Sequence, residues 1–162
     1  QKGPRFSMSV KMRKTACAVR SLHQTFGPHG DLQPSHVMIP DAVGPARLLD
    51  PLCHPNWIGT NRYTLGRSDA RQLADLGALV AMTAELFGGD VRWSTARAEK
   101  IASGIADSAM RAALGVDLER GLTRVPRELR QWAMDAGKTY LDAMFDDQVS
   151  ADWRSIIDAL AG

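Results

Sequence analysis

Long apolar runs are missing from this chain. No stretch approaches the ~20 consecutive apolar residues that a bilayer-spanning helix needs, so no membrane span is expected. Cysteine is scarce as well. Cys17 and Cys53 are the only two in 162 residues, and they form no spaced framework, which points to reduced thiols and a cytoplasmic protein. The opening residues lack the continuous apolar core of a signal peptide. Charge of one sign is lacking too: a formal net charge of +2 is too small to call for a nucleic-acid partner. Five of the first fourteen residues are basic (Lys2, Arg5, Lys11, Arg13, Lys14), and a solvated terminus is the preferred reading of that bias over a phosphate contact. No internal repeat or low-complexity segment is visible.

What is present suits one soluble, mainly α-helical domain over residues 1–162. With 44% hydrophobic residues, a chain of this length can bury one sizeable core. From Met8 to Phe26 the apolar positions Met8, Met12, Ala16, Val19, Leu22 and Phe26 recur every three or four residues. They form one face of a helix, which Gly27-Pro28 ends. Val37-Met38-Ile39 and Ala46-Arg47-Leu48-Leu49 flank a turn and predict a small β-hairpin. A helix capped at Ser68 or Asp69 runs to about Phe87 and stops at Gly88-Gly89. Apolar almost all round, it belongs in the middle of the domain. Further helices are expected at roughly 94–114, capped by Ser94, at 126–145 with Pro126 in first position, and at 150–160, capped by Ser150. Trp57, Trp93, Trp132 and Trp153 read as core or surface anchors.

The candidate chemistry lies in residues 29–50. The run His29-Gly30-Asp31-Leu32-Gln33-Pro34-Ser35-His36 precedes the hairpin, and Leu48-Leu49-Asp50-Pro51 follows it. A helix thus delivers a His and an Asp into a loop, and the hairpin returns a second Asp beside them. Two such carboxylates can bind a divalent cation, or divide base and metal duties, and magnesium suits both arrangements. The four histidines (His23, His29, His36, His54) and both cysteines fall between residues 17 and 54, yet their spacing fits no common zinc pattern.

In order and spacing this segment resembles the catalytic loop of protein kinases and aminoglycoside-type phosphotransferases, H-x-D-x-x-x-x-N, followed by the metal-binding Asp after a hairpin. His29 and Asp31 match in place, and Asp50 follows about nineteen residues after Asp31. Leu22-His23 resembles the end of the helix leading into that loop. Gly59-Thr60-Asn61-Arg62-Tyr63 is similar to the G-T-x-x-Y that positions a protein substrate, and the helix 69–87, with Leu76-Gly77, is similar to the central kinase helix. Residues 146–160 resemble the closing element of the C-terminal lobe, and the likeness is loose between 90 and 145.

The resemblance implies a kinase-like C-terminal lobe with catalytic loop 29–36, an activation-segment-like region 50–67 and ATP with Mg2+ as cofactors. Asp31 would orient or deprotonate the acceptor hydroxyl, and His29 would brace the loop. Asp50 and His36 would take the two metal positions, and with Asp31 they would face the nucleotide. Gln33, Thr60 and Tyr63 would position the substrate. A protein Ser/Thr acceptor is slightly favoured over a small-molecule hydroxyl.

Departures from the family pattern matter as much. His36 replaces the metal-binding Asn, Gln33 replaces a Lys, and Pro51-Leu52 replaces Phe-Gly. The A-P-E motif and its partner Arg are both missing, with Gln148 at the Arg position. The residues before His29 hold no glycine-rich phosphate loop, so the nucleotide-binding N-terminal lobe is expected in the same parent chain or in another chain. Gln1 as the first residue favours a piece of a longer protein. A pseudokinase or scaffold without catalysis is the alternative.

Overall fold

The computed structural model describes residues 4–39, 44–50, 71–93, 102–104, 107–145 and 153–162. Five α-helices dominate it: α1 (Pro4–Thr25), α2 (Arg71–Leu86), α3 (Asp107–Gly121), α4 (Arg127–Phe145) and α5 (Trp153–Ala161). A 3-10 turn (Pro34–His36) leads into strand β1 (Val37–Met38), which pairs antiparallel with β2 (Arg47–Leu48), Val37 facing Leu48 and Met38 facing Arg47. The mainly α class with one small hairpin is therefore as expected. No helix among the described residues is long and apolar enough to cross a membrane.

Apolar burial explains the arrangement. Every residue from Leu73 to Ala84 on α2 is buried, and α4 and α1 both lie against this helix. On α1 the buried side chains Met12, Thr15, Ala16 and Val19 fall at helical spacing on one face. That helix also runs along α5, and α3 packs on α4. α1 starts at Pro4, earlier than its apolar stripe suggests, and ends at Thr25. Phe26, expected on the buried face, is 63% exposed. The chain leaves the helix there, with the amides of Phe26 and Gly27 both closing onto the Leu22 carbonyl and Gly27 at φ 142°.

Two helix boundaries differ from expectation. The helix expected over 94–114 is interrupted: residues 103–104 form a turn with Gly104 at φ 74°, and α3 starts at Asp107. It then passes Gly115 and reaches Gly121, because Met110, Leu114 and Leu118 keep one side in the core and Leu122 continues the row. One residue later than expected, α4 begins at Arg127, with the Pro126 carbonyl accepting the Arg130 amide at 2.7 Å and Glu128 in its first turn. Residues 51–70, 94–101 and 146–152 lie outside the described residues, and with them the expected caps at Ser68, Asp69, Ser94 and Ser150, and Trp57.

Two tryptophans join helices by hydrogen bonds. Trp93, 1% exposed, donates its indole N–H to the Gly77 carbonyl at 3.0 Å and meets the Tyr140 ring edge-on at 5.1 Å. Trp132 donates to the Ile156 carbonyl at 2.7 Å and so ties α4 to α5. Cys17, a free thiol, donates to the Ala161 carbonyl at 3.2 Å.

Candidate active site

The loop after α1 is organised around one buried carboxylate on α2. Asp75 is 1% exposed. Its Oδ2 accepts the His29 amide at 2.8 Å and His23 Nε2 at 2.7 Å, and its Oδ1 accepts the Gly30 amide at 3.1 Å. Buried loop amides must find acceptors, because leaving one unpaired costs about 1–3 kcal/mol. Asp75 satisfies two in succession and fixes the backbone where it enters the His29-Gly30-Asp31 turn. Gly30, at φ 83°, supplies the left-handed conformation that this turn needs.

His29 is fully buried and bonded at both ring nitrogens. Nδ1 accepts the Asp31 amide at 3.2 Å, which leaves the hydrogen on Nε2 to be donated to the Leu49 carbonyl at 2.7 Å. One ring therefore clamps the loop to the residue just before Asp50. The Leu49 amide completes the join by donating to the His36 carbonyl at 2.8 Å. Asp50 follows in left-handed backbone at φ 52° and is exposed.

Asp31 itself is 8% exposed. Gln33 Nε2 donates to its Oδ2 at 3.3 Å, and His36 Nδ1 lies 2.8 Å from its main-chain oxygen and 3.8 Å from Oδ2. His29 and His36 stand with ring centroids 5.7 Å apart. The structure thus brings His29, Asp31, Gln33 and His36 together and ties Leu49, the neighbour of Asp50, to His29 and His36. Thr60 and Tyr63 lie outside the described residues.

His36 would offer a second metal a nitrogen in place of the oxygen of the family's Asn. A carbonyl can only accept, so Nδ1 carries the hydrogen that points at the Asp31 oxygen. Nε2 faces the Gln33 amide nitrogen at 3.5 Å. Magnesium also prefers oxygen donors. Asp50 is an exposed carboxylate, an oxygen donor of the kind magnesium takes. Among the described residues no three His, Cys, Asp or Glu side chains gather as metal ligands would. Gln33, expected to face substrate, is turned inward onto Asp31.

Two residues central to this geometry escape sequence reasoning as site residues. Asp75 reads in the sequence only as an acid set among the apolar residues of α2, and such a buried charge demands partners. His23 sits in the last turn of α1, 52 positions from its partner. A groove of about 750 Å³ between α1 and β2 includes none of His29, Asp31, His36 or Asp50. No protein-family model matches the chain, and no curated protein or solved structure matches it.

Proposed function

We propose that this chain carries the catalytic-loop half of an ATP- and magnesium-dependent phosphotransferase with a kinase-like C-terminal lobe. The acceptor is a hydroxyl, a protein Ser/Thr being slightly favoured over a small molecule. One observation carries the reading: the His29-Gly30-Asp31 turn is held rigidly by Asp75 on one side and by Leu49, next to Asp50, on the other. Phosphoryl transfer asks little of a protein beyond positioning and charge stabilisation, so a preorganised carboxylate is the part to look for.

In this reading Asp31 orients the acceptor hydroxyl and takes its proton. The hydroxyl oxygen bonds to the γ-phosphorus as the bond to the β-phosphate oxygen breaks. Asp50 would hold magnesium, which when bound neutralises phosphate charge. His29 holds the turn, and Asp75 and His23 hold His29. The adenine and the remaining phosphate contacts fall to protein outside this loop.

A binding module without catalysis is favoured by one observation of its own: the Asp31 side chain is 10% exposed and engaged by Gln33. Calorimetry with MgATP on the intact protein, followed by phosphoryl-transfer assays, separates the two. The catalytic reading expects binding, and an Asp31→Asn rate lower by about 10²–10⁴-fold at unchanged melting temperature. Absence of MgATP binding, or an unaltered rate in Asp31→Asn, leaves the binding module.

A further inference from the structure

We propose that His36 is a positioning residue for Asp31, and that it works as a hydrogen-bond donor where the resemblance calls for a metal ligand. This deepens the phosphotransferase reading and rests on it for its catalytic arm. The ring sits one short turn after Asp31, on the 3-10 turn Pro34–His36, which directs its side chain back over the start of the loop. Its Nδ1 meets the Asp31 carbonyl at 2.8 Å and lies 3.8 Å from the Asp31 carboxylate. A single N–H thus faces the main chain and the side chain of the same residue.

Gln33 fixes which nitrogen carries that hydrogen. Its amide nitrogen donates to Asp31 Oδ2 at 3.3 Å, and a carboxylate oxygen would repel the amide oxygen in the flipped orientation. The same nitrogen stands 3.5 Å from His36 Nε2, a long contact that is favourable only if Nε2 is the bare lone pair. Both contacts specify the Nδ1–H form of the ring. In that form Nδ1 is spent on Asp31 and the Nε2 lone pair faces the Gln33 amide at 3.5 Å, a nitrogen donor where magnesium prefers oxygen.

Backbone bonds tie this unit to the rest of the site. The His36 carbonyl accepts the Leu49 amide at 2.8 Å, and the His36 amide closes the turn onto the Gln33 carbonyl at 3.0 Å. His36 therefore couples the Asp31 loop to the strand that ends at Asp50. Removing its ring should loosen the Asp31 main chain, which the ring holds through the carbonyl, while Asp50 is left as it was. A ligand role makes the opposite demand.

Nitrogen-15 histidine spectroscopy on the intact protein tests this directly. The expected pattern for His36 is a protonated Nδ1 and a bare Nε2, unmoved by added magnesium chloride. A hydrogen on Nε2, or a magnesium-dependent shift of either ring nitrogen, overturns the proposal. The Asp31 carbonyl carbon supplies the second arm. Its chemical shift should move in His36→Ala, where the bond from Nδ1 is lost, whereas His36→Asn keeps a donor and should stay near wild type. An Asp31 carbonyl shift that is equal in His36→Ala and wild type overturns it too. In phosphoryl transfer, His36→Ala should lower kcat about 10–100-fold with its magnesium dependence unchanged, and His36→Asn should recover most of the rate. If no transfer is found in any form, the phosphotransferase reading fails, while the two spectroscopic arms still judge the clamp.

Discussion

Two positions on α2, only two residues apart, hold the molecule by different means. At Gly77 the contact is one of shape: a methyl group there would lie 2.5 Å from the Tyr140 ring, so the missing side chain is what lets α4 approach. At Asp75 the contact is one of direction, with three donors from α1 and the loop converging on a single carboxylate. Close packing tolerates small shifts, since neighbours relax in part. Directed bonds to a buried charge do not, since each lost donor is left without water or partner. The helical body is thus built to be stable and the loop to be exact in position, and one helix serves both.

The sharpest way to break that comparison is Asp75→Ala. It would strip the acceptor from two buried loop amides and from His23, at a cost of about 3–5 kcal/mol. For a chain of this size each kcal/mol moves Tm by roughly 2–4 °C, so a fall of about 10 °C is expected in a thermal melt. Asp75→Asn keeps one acceptor oxygen and should lose about half as much. A melt within about 2 °C of wild type for Asp75→Ala would mean the loop finds its acceptors elsewhere. Asp31→Asn is the matching control, because its expected effect is on rate and not on Tm.

The two regions also differed in how far they could be read beforehand. The body was legible in outline because burial leaves a period in the sequence: Met12, Ala16 and Val19 mark the inner face of α1, and the unbroken apolar run of α2 marks its centre. The hairpin was legible from its two apolar runs and the turn between them. The end of α3 was not, since the helix expected to finish near residue 114 runs on while Leu118 and Leu122 carry the buried row onward. In the loop, His29, Asp31 and Asp50 stood out by their order. Asp75 did not, because its partners lie about 46 positions away and periodicity is silent about which polar residue in an apolar helix is satisfied. For His36 the position in the resemblance suggested a metal ligand, and the placement of Nδ1 on the Asp31 carbonyl is a contact that no sequence pattern announces.

Gly77→Ala tests the shape side. The added methyl must displace Tyr140 ring carbons at 2.5–2.8 Å, and overpacking of this kind costs about 1–3 kcal/mol. Alanine returns up to about 1 kcal/mol of helix propensity, so a net loss of about 1–2 kcal/mol is expected by denaturant titration. Pairing it with Tyr140→Leu should recover part of that loss. A Gly77→Ala protein as stable as wild type would show that α2 and α4 have room between them.

The smallest effect is expected where a directed bond falls inside the packed body. Trp132 donates to the Ile156 carbonyl at 2.7 Å, much as the loop amides donate to Asp75. The acceptor differs in kind, though. A carbonyl within a helix has the amide four residues on as its ordinary partner, so losing the indole does not orphan it. Trp132→Phe keeps most of the apolar contact between α4 and α5 and should cost only about 1 kcal/mol, a Tm shift of roughly 2–4 °C. A loss as large as that of Asp75→Ala would mean that directed bonds anchor the body as firmly as the loop, and the contrast between the two regions would collapse.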